Sequence, residues 1–337
     1  KRYYPGNKFI DEIENLAKER ALKAFKLNMN EWSVNVQSYS GSPANLAVYL
    51  ALAEPGEIIM GLNLFHGGHL THGHKISYTG KLFQSIQYGI NSQTETIDYD
   101  LLEKLALEYK PKIIISGTTA YPRIIDFERI YKIANKVNAY HLADISHING
   151  LIIANLHPSP FPFADIVTMT THKILKGPRG AVIFMKKKLE EKINRSIFPG
   201  FQGGPHIHTI AGIAYAFGRA LKKDFYNYQK QIIKNAEVLA KELKKRGFKL
   251  YTGGTDNHLI MIDLKPLTQN YTELTRKNSK SIQSIGKIAE ELLERANIVA
   301  NRNSLPSDNS PFNPTGIRLG TPAITSRGMK EKEMKII

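Results

Sequence analysis

The sequence contains no cysteine, which excludes disulfide bonds and thiolate metal sites. It has no apolar run of the roughly 18–20 residues that a membrane-spanning helix needs, and no signal or transit segment is visible. Its 337 residues allow one large or two moderate domains, and a hydrophobic content of 42% is ordinary for a globular core. We therefore expect a globular protein that does not span a membrane.

Acidic side chains are outnumbered: 30 Asp and Glu stand against 46 Lys and Arg, a formal net charge of +16. The basic residues are scattered, for example over 186–188, 222–223 and 244–246, and form no stripe interleaved with aromatic residues. The pattern favours a lysine-rich solvated surface. It leaves open weak electrostatic binding of nucleic acid or residence in an organelle that favours basic proteins, and we predict a mitochondrial location over a cytoplasmic one.

Strand-like and helical segments alternate through the first two thirds of the chain. Helical spacing of apolar residues marks 10–27 and 126–137. Strand-like runs cover residues 57–61, 82–90, 112–116, 140–143, 165–168 and 181–185. This alternation predicts an α/β fold, with a mostly parallel mixed sheet between helices and a ligand site at the carboxyl ends of its strands.

The pattern changes near residue 210. A helical stretch is predicted over 209–246, followed by strands at 248–251 and 258–264, helix at 286–296 and a polar surface insertion at 267–284. We therefore predict a large domain over 1–222 and a smaller α+β domain over 223–337.

The most informative stretch is 168–173, where an apolar strand leads into hydroxyls, then His172, then Lys173. A lysine placed in this way can be partly desolvated and oriented, as a Schiff base requires. Asp144 closes another hydrophobic strand 29 residues earlier. A carboxylate on one strand end and a lysine on the next are expected around pyridoxal phosphate, where the lysine binds the aldehyde carbon and the carboxylate keeps the pyridine nitrogen protonated.

Three other segments add candidate groups. A helix is predicted to open with Ser42 as N-cap, and Ser40 and Gly41 add a hydroxyl and an amide at its positive end, which suits a phosphate. His66, His69 and His72 have a spacing of three, but glycines interrupt them and no carboxylate or cysteine stands nearby, so we predict no metal site. A histidine stacked on a planar cofactor fits better, with a buried structural role as the alternative for His66 and His72.

Arg318 lies on a short apolar strand flanked by glycines. A buried arginine needs an anionic partner. That partner is either a substrate α-carboxylate, held by both arms of the guanidinium, or a structural ion pair within the small domain.

Together these segments resemble serine hydroxymethyltransferase. The resemblance runs in order from Lys1 to about Gly328. It is found in residues 32–47, 66–73, 120–121, 144–147, 156–159, 170–173, 177–179, 202–205, 253–258 and 316–322. Other pyridoxal phosphate enzymes of this fold share the aspartate and the lysine, but they lack the His-Gly-Gly-His and Gly-Gly-Thr-Asp-Asn-His runs.

The resemblance implies the aminotransferase-like fold of pyridoxal phosphate enzymes, fold type I. It implies interconversion of L-serine plus tetrahydrofolate and glycine plus 5,10-methylenetetrahydrofolate, with pyridoxal 5′-phosphate as cofactor and tetrahydrofolate as cosubstrate. It also implies a homodimer or homotetramer whose subunits share active sites.

The same resemblance implies roles for individual residues. Catalytic roles fall to Lys173 (through an aldimine), Asp144, His147, His172, Thr170 and Tyr4. The cofactor is bound by these same Asp144, His147, His172 and Lys173 and by Ser40, Gly41, Ser42, His69, Thr119 and a partner subunit's copy of Gly204. Substrate and folate are bound by Arg318, Arg179, Tyr4, Leu64, Gly68, Leu70, Asn303, Ser310 and Phe312.

Three substitutions depart from the family pattern. Thr119 replaces a serine, Met169 interrupts a threonine run, and Asn149 stands where a small residue is usual. The resemblance further implies a catalytic glutamate and a phosphate-binding tyrosine before Lys1, so we expect the chain to be part of a longer protein. Two alternatives remain: a threonine aldolase or acyltransferase of the same fold, and a catalytically weakened homologue that acts as a partner subunit or an RNA-binding protein.

Overall fold

Two β-sheets organise the computed structural model, which describes residues 4–268, 284–308 and 313–337. The larger sheet has the order β1-β7-β6-β5-β4-β2-β3. Its strands are β1 (Trp32–Asn35), β2 (Ile58–Leu62), β3 (Gln84–Tyr88), β4 (Ile113–Ser116), β5 (Tyr140–Asp144), β6 (Ile166–Thr170) and β7 (Ala181–Lys186). All neighbours from β3 to β6 are parallel, whereas β7 is antiparallel to both β6 and β1. The predicted mostly parallel mixed sheet is therefore confirmed.

Helices accompany this sheet along the chain. They are α1 (Lys8–Ala24), α2 (Gly41–Leu52), α3 (Tyr78–Leu82), α4 (Tyr99–Tyr109), α5 (Phe127–Lys136), α6 (Asn149–Ile153), α7 (Glu190–Arg195), α8 (Ile207–Ala220) and α9 (Lys223–Lys245). The single helix predicted over 209–246 is wrong, because Lys222 has an extended backbone that separates α8 from α9. Both helices bury an apolar face, so the periodicity continues across the break.

The second sheet is antiparallel, with the order β10-β11-β9-β8. Its strands are β8 (Lys249–Leu250), β9 (Leu259–Asp263), β10 (Asn301–Asn303) and β11 (Gly316–Gly320), and the helices near it are α10 (Lys265–Thr268), α11 (Ile285–Arg295), α12 (Pro322–Ser326) and α13 (Glu331–Met334). No helix among the described residues is long and apolar enough to cross a membrane. Most of the predicted 267–284 insertion lies outside these residues, and the domain division at 222/223 stays a prediction.

The central strands are apolar on both faces, since alternate residues of each strand enter different cores. Ile113 and Ile115 of β4 pack in a cluster with residues of α2, whereas Ile114 packs with residues of α1, α5 and α8. Burial on both sides fixes the strands, and their parallel order brings the carboxyl ends of β4, β5 and β6 to one edge of the sheet. Polar residues follow each of these strands there, as the sequence predicted.

A buried histidine makes the fold sensitive to acid. His141 is 0% exposed, and its ring contacts Ser116 Oγ and Phe163 O. Burial lowers the pKa of His141 to about 4, below the ordinary value of about 6.5. The folded state therefore binds fewer protons than the unfolded state between these values, and stability falls as pH drops through that window.

We expect His141 to contribute a loss of about 2–3 kcal/mol of unfolding free energy between pH 7 and pH 4.5. Denaturant unfolding at both pH values measures it. His141→Asn should reduce the difference between the two pH values, and His206→Asn, at an exposed position, should not. Equal pH dependence in wild type and His141→Asn would contradict the prediction.

Candidate active site

A cavity of about 260 Å³ lies where β5 and β6 end. Asp144 pairs with Thr168 in the parallel register, so the groups that follow both strands meet at this edge. Eleven of the predicted residues line the cavity, namely Ser40, Gly41, Ser42, His69, Thr119, Asp144, His147, Thr170, His172, Lys173 and Arg179. His72, Thr118 and Ser146 line it as well and were not predicted as site residues.

Asp144 is a buried carboxylate with three hydrogen-bond donors. It is 8% exposed. Its Oδ2 accepts from Asn45 Nδ2 at 2.9 Å and contacts His72 Nε2 at 3.2 Å, and its Oδ1 accepts from Ser146 N at 3.0 Å. Burial alone would raise the pKa of Asp144, but the hydrogen bonds from His72 and Ser146 and the nearby imidazoles outweigh it and hold the pKa well below its usual range. The carboxylate therefore stays ionised.

Lys173 is half-buried on the same cavity. Within the described residues its amine has no hydrogen bond and no ion pair. Burial lowers the pKa of Lys173 below its ordinary value, Asp144 opposes this shift, and Arg318 and Arg179 add to it. An amine with a lowered pKa is deprotonated more easily and is a better nucleophile.

One wall of the cavity is the N-terminus of α2. Ser40, not Ser42 as predicted, is its N-cap, because Ser40 O accepts the first helical hydrogen bond, from Ala44 N at 3.0 Å. The Ser40 side chain accepts no capping hydrogen bond, so it leaves the amides of the first turn unsatisfied. A Cβ on Gly41 would lie 2.6 Å from Thr170 Cγ2, which explains the glycine there. Amides at a helix N-terminus favour an anion.

Two buried polar atoms on this cavity have no partner among the described residues. They are the Thr170 hydroxyl oxygen and His172 Nδ1. Buried polar groups are normally hydrogen-bonded, and an orphan calls for an explanation. Both atoms belong to residues that line the cavity beside Lys173, so a bound polar ligand is the simplest explanation.

Histidines frame the remaining walls. His69 Nδ1 accepts from Thr71 N at 3.2 Å and contacts Thr71 Oγ1 at 2.7 Å, which fixes the imidazole. Burial, helped by His72, lowers the pKa of His69 to about 4, so the ring is neutral near pH 7. His147 lies near-parallel to His258, with ring centroids 6.2 Å apart. A neutral, oriented imidazole such as His69 can lie against a planar ring.

Arg318 reaches this region from β11 of the smaller sheet. Its Nη1 donates to Thr119 O at 2.8 Å, and its Nε donates to Asn301 Oδ1 at 3.0 Å. No carboxylate in the described part of the chain forms an ion pair with it, so the alternative of a structural ion pair is not seen there. Burial lowers the pKa of Arg318, yet a guanidinium remains charged at any working pH. It is a half-buried cation held by neutral oxygens.

Thr119 connects Arg318 to the glycine loop before His69. Its N donates to Gly67 O at 2.7 Å, and its hydroxyl donates to Gly68 O at 2.9 Å. A Cβ on Gly68 would lie 2.0 Å from Leu62 O, so this close approach requires glycine. The hydroxyl of Thr119 therefore holds the loop, although its residue also lines the cavity.

The other predicted site residues do not line this cavity. Tyr4 and Leu70 are 75% and 44% exposed. Leu64, Asn303 and Arg318 are partly buried and Gly68 is buried, all outside the cavity lining. Gly204 is exposed, and its carbonyl accepts from Tyr39 Oη at 2.8 Å. Ser310 and Phe312 lie outside the described residues.

The three spaced histidines have separate functions. His66 Nδ1 accepts from Ile90 N at 3.2 Å, and His72 contacts Asp144. Across the described ranges, no group of three or more His, Cys, Asp or Glu residues is arranged to hold a metal ion. Sequence reasoning allowed His72 a buried structural role but linked neither His72 nor Asn45 to Asp144. Asn45 is a polar residue among the apolar residues of α2, and that contrast was the available signal.

Known proteins similar to this chain belong to one family. The family model described as serine hydroxymethyltransferase matches residues 1–337. A curated relative, the serine hydroxymethyltransferase of Caenorhabditis briggsae, is 50% identical over 353 aligned residues, which cover 99% of this chain and 66% of that protein. The chain thus spans slightly less than two thirds of the length of this relative.

Proposed function

Because this chain belongs to the serine hydroxymethyltransferase family, we propose that its cavity is the active site of a pyridoxal phosphate enzyme that interconverts L-serine plus tetrahydrofolate and glycine plus 5,10-methylenetetrahydrofolate. One observation carries the proposal. The half-buried Lys173 amine and the ionised Asp144 carboxylate line one cavity, at the ends of neighbouring parallel strands. Nothing in the described residues favours a weakened homologue or an RNA-binding protein.

The residues present fit pyridoxal phosphate. Lys173, whose amine has no partner among the described residues, offers that amine to an aldehyde carbon, and Asp144 offers a charged carboxylate to a ring N–H⁺. Unsatisfied amides at the start of α2 and the orphan Thr170 hydroxyl suit an anionic group. Each end of the cofactor therefore has a chemically matched group on the cavity wall.

When bound, pyridoxal phosphate supplies a sink for the electron pair left on the α-carbon when the Cα–Cβ bond of serine breaks. Asp144 holds a proton on the ring nitrogen, because a carboxylate that stays ionised stabilises the positive charge there. Lys173 would hold the cofactor through its amine. Arg318 binds the carboxylate of the amino acid and so orients the bond that breaks.

We extend the proposal to the assembly of the protein. Gly204 is exposed, and a Cβ added to it would meet nothing within 4 Å, so this residue has space for a second subunit to approach. This supports a homo-oligomer with shared active sites.

Three further proposals concern other parts of the molecule. Our proposed folate contacts remain Leu64, Gly68, Leu70 and Asn303. The sequence pI of about 9.6 supports a mitochondrial location. The proposed domain boundary is the division at 222/223, at the break between α8 and α9.

Turnover of serine tests the function directly. The full-length protein, loaded with pyridoxal phosphate, should convert serine to glycine only when tetrahydrofolate is present. A threonine aldolase would cleave threonine without folate, and an acyltransferase would require an acyl thioester. Cofactor binding without folate-dependent turnover of serine would refute the proposal.

Arg318→Gln should raise the KM for serine with a smaller effect on kcat. Removing one partner of a buried charge pair costs about 2 kcal/mol or more, which is roughly 30-fold. Steady-state kinetics with varied serine measure the change. Arg123→Gln is the control. Arg123 also joins the two sheet regions, but its partners Thr252 and Asp256 do not line the cavity, whereas Arg318 donates to Thr119, which does. Similar KM values in both variants would show that Arg318 does not bind the carboxylate.

A further inference from the structure

One amide nitrogen holds two carbonyl oxygens where β5 and β6 separate. The ladder between these strands ends at Asp144 and Thr168, and Ile145 N still donates to Thr168 O at 2.9 Å. Beyond that point, side-chain hydrogen bonds connect the two segments in place of the main-chain hydrogen bonds of the sheet. Asn149 Nδ2 donates to Ser146 O and to Thr170 O, each at 3.1 Å. The turn after Asp144 is thereby tied to the segment before Lys173.

Ser146 makes a second connection between the same two segments. Its Oγ accepts from Thr170 N at 3.0 Å, and its own N donates to Asp144 Oδ1 at 3.0 Å. Both main-chain polar groups of Thr170 are thus held by side chains that follow Asp144. Thr170 stands three residues before Lys173, so this clamp acts close to the amine.

The chemistry of the clamp requires an amide. Asn149 is 0% exposed, and its Oδ1 is buried with no partner among the described residues. A buried orphan oxygen is unfavourable, but among uncharged side chains only Asn and Gln place two N–H donors on one atom. Rotating the amide would point its oxygen at two carbonyl oxygens, so the orientation is set by the contacts.

We infer that Asn149 is a positioning residue, which fixes the segment ending in Lys173 against the turn beginning at Asp144 and so sets the separation of amine and carboxylate. This inference rests on the proposed function of the cavity. Asn149 does not line the cavity, so it acts through Thr170 and Ser146. Reactive groups need such support from neighbours that are themselves locked in place.

Asn235 provides a matched control. It is also 0% exposed, and its Nδ2 also donates two hydrogen bonds, to Thr325 Oγ1 and to Met329 O, both at 2.9 Å. Those partners lie around α12, and neither they nor Asn235 line the cavity. Asn149→Ala and Asn235→Ala should therefore lower the melting temperature by comparable amounts, which separates general destabilisation from positioning.

Two measurements report on Lys173. The first is the pKa of its amine in cofactor-free protein, from trace labelling with acetic anhydride across pH and quantification of its peptide. Burial now lowers this pKa, Asp144 raises it, and Arg318 and Arg179 lower it. In Asn149→Ala the loosened segment admits water, so the pKa should rise towards its ordinary value. The second is the Kd of pyridoxal phosphate by absorbance, which should weaken roughly tenfold.

Asn235→Ala should match wild type in both measurements. Equal behaviour of the two alanine variants would overturn the inference and leave Asn149 a structural residue. If Asn149→Ala does not fold, Asn149→Ser takes its place in both measurements, because serine keeps at most one hydrogen-bond donor. Wild-type values of the Lys173 pKa and of the Kd in Asn149→Ser would again overturn the inference. Failure of wild type to bind pyridoxal phosphate would refute the proposed function instead, and the labelling of Lys173 would still test the role of Asn149.

Discussion

Asp144→Asn is expected to lower serine turnover by at least about 10³-fold while the protein still folds. The substitution keeps the shape and keeps an acceptor for Ser146 N, but it removes the negative charge that holds a proton on the cofactor ring nitrogen. It also turns an N–H towards Asn45 Nδ2 and His72 Nε2, which now approach Oδ2 to 2.9 and 3.2 Å. We therefore also expect a loss of about 2 kcal/mol of stability at pH 7.

The pH dependence of that loss has a definite sign. The pKa of Asp144 is held well below its usual range in the folded state, so its stabilising effect is complete above the unfolded value of about 3.9 and fades as pH falls below it. The difference in unfolding free energy between wild type and Asp144→Asn should accordingly shrink in acid. Denaturant titrations at pH 7 and pH 3 would measure it.

Asp263→Asn is the control for this experiment. Asp263 is likewise buried, at 5% exposure, and accepts from Lys249 Nζ at 2.9 Å, but it belongs to β9 of the smaller sheet and does not line the cavity. It should lose stability and keep its turnover within about twofold. If Asp144→Asn retained comparable turnover, the assigned role of Asp144 would be wrong.

The residues that sequence reasoning placed best are those at the ends of apolar strands. Asp144 and Lys173 follow hydrophobic runs, and in a parallel sheet the ends of neighbouring strands share one edge. The sheet itself was predictable for the same reason, since strands buried on both faces read as apolar runs. β1 escaped prediction because it has only four residues, and Ser33 and Asn35 interrupt the apolar run although all four residues are buried.

Contacts between residues distant in the chain could not be predicted from local pattern. The partners of Asp144, His72 and Asn45, stand 72 and 99 positions away from it. The neutral oxygens that hold Arg318 come from Thr119, in the other sheet region, and from Asn301. Local spacing identifies which reactive side chains belong to the candidate site, whereas the hydrogen-bond partners of those side chains depend on tertiary packing. The role of Asn149 became visible only with Thr170 and Ser146 placed beside it.

Lys173→Met is expected to abolish turnover and to stabilise the cofactor-free protein, by about 1 kcal/mol at pH 7. Methionine fills a similar volume without a charge. The amine it replaces is half-buried, has no hydrogen bond in the described part of the chain, and lies near the cations Arg318 and Arg179. Active sites often keep such unfavourable groups because the chemistry requires them.

Linkage gives this prediction a second, independent signature. The pKa of Lys173 is lowered in the folded state, so between that value and the unfolded value of about 10.4 the unfolded chain binds more protons. Stability of cofactor-free wild type therefore gains a contribution as pH rises through this window, and Lys173→Met lacks it. Melting temperatures from pH 7 to pH 10, each compared with wild type, should converge towards the alkaline end.

Lys176→Met is the control, because it removes another lysine from the same loop and so shows whether the effects of Lys173→Met are specific to Lys173. Lys176 is exposed, and its Nζ lies 3.8 Å from the centroid of the Tyr228 ring, away from the residues that line the cavity. Turnover of this variant should stay within about twofold of wild type. The lysine that reacts with the cofactor must keep its amine, although burial and the nearby cations make the charged amine unfavourable there. Loss of activity with no gain in stability in Lys173→Met would mean that the amine is better solvated than the cavity suggests, and retained activity would remove Lys173 from the reaction.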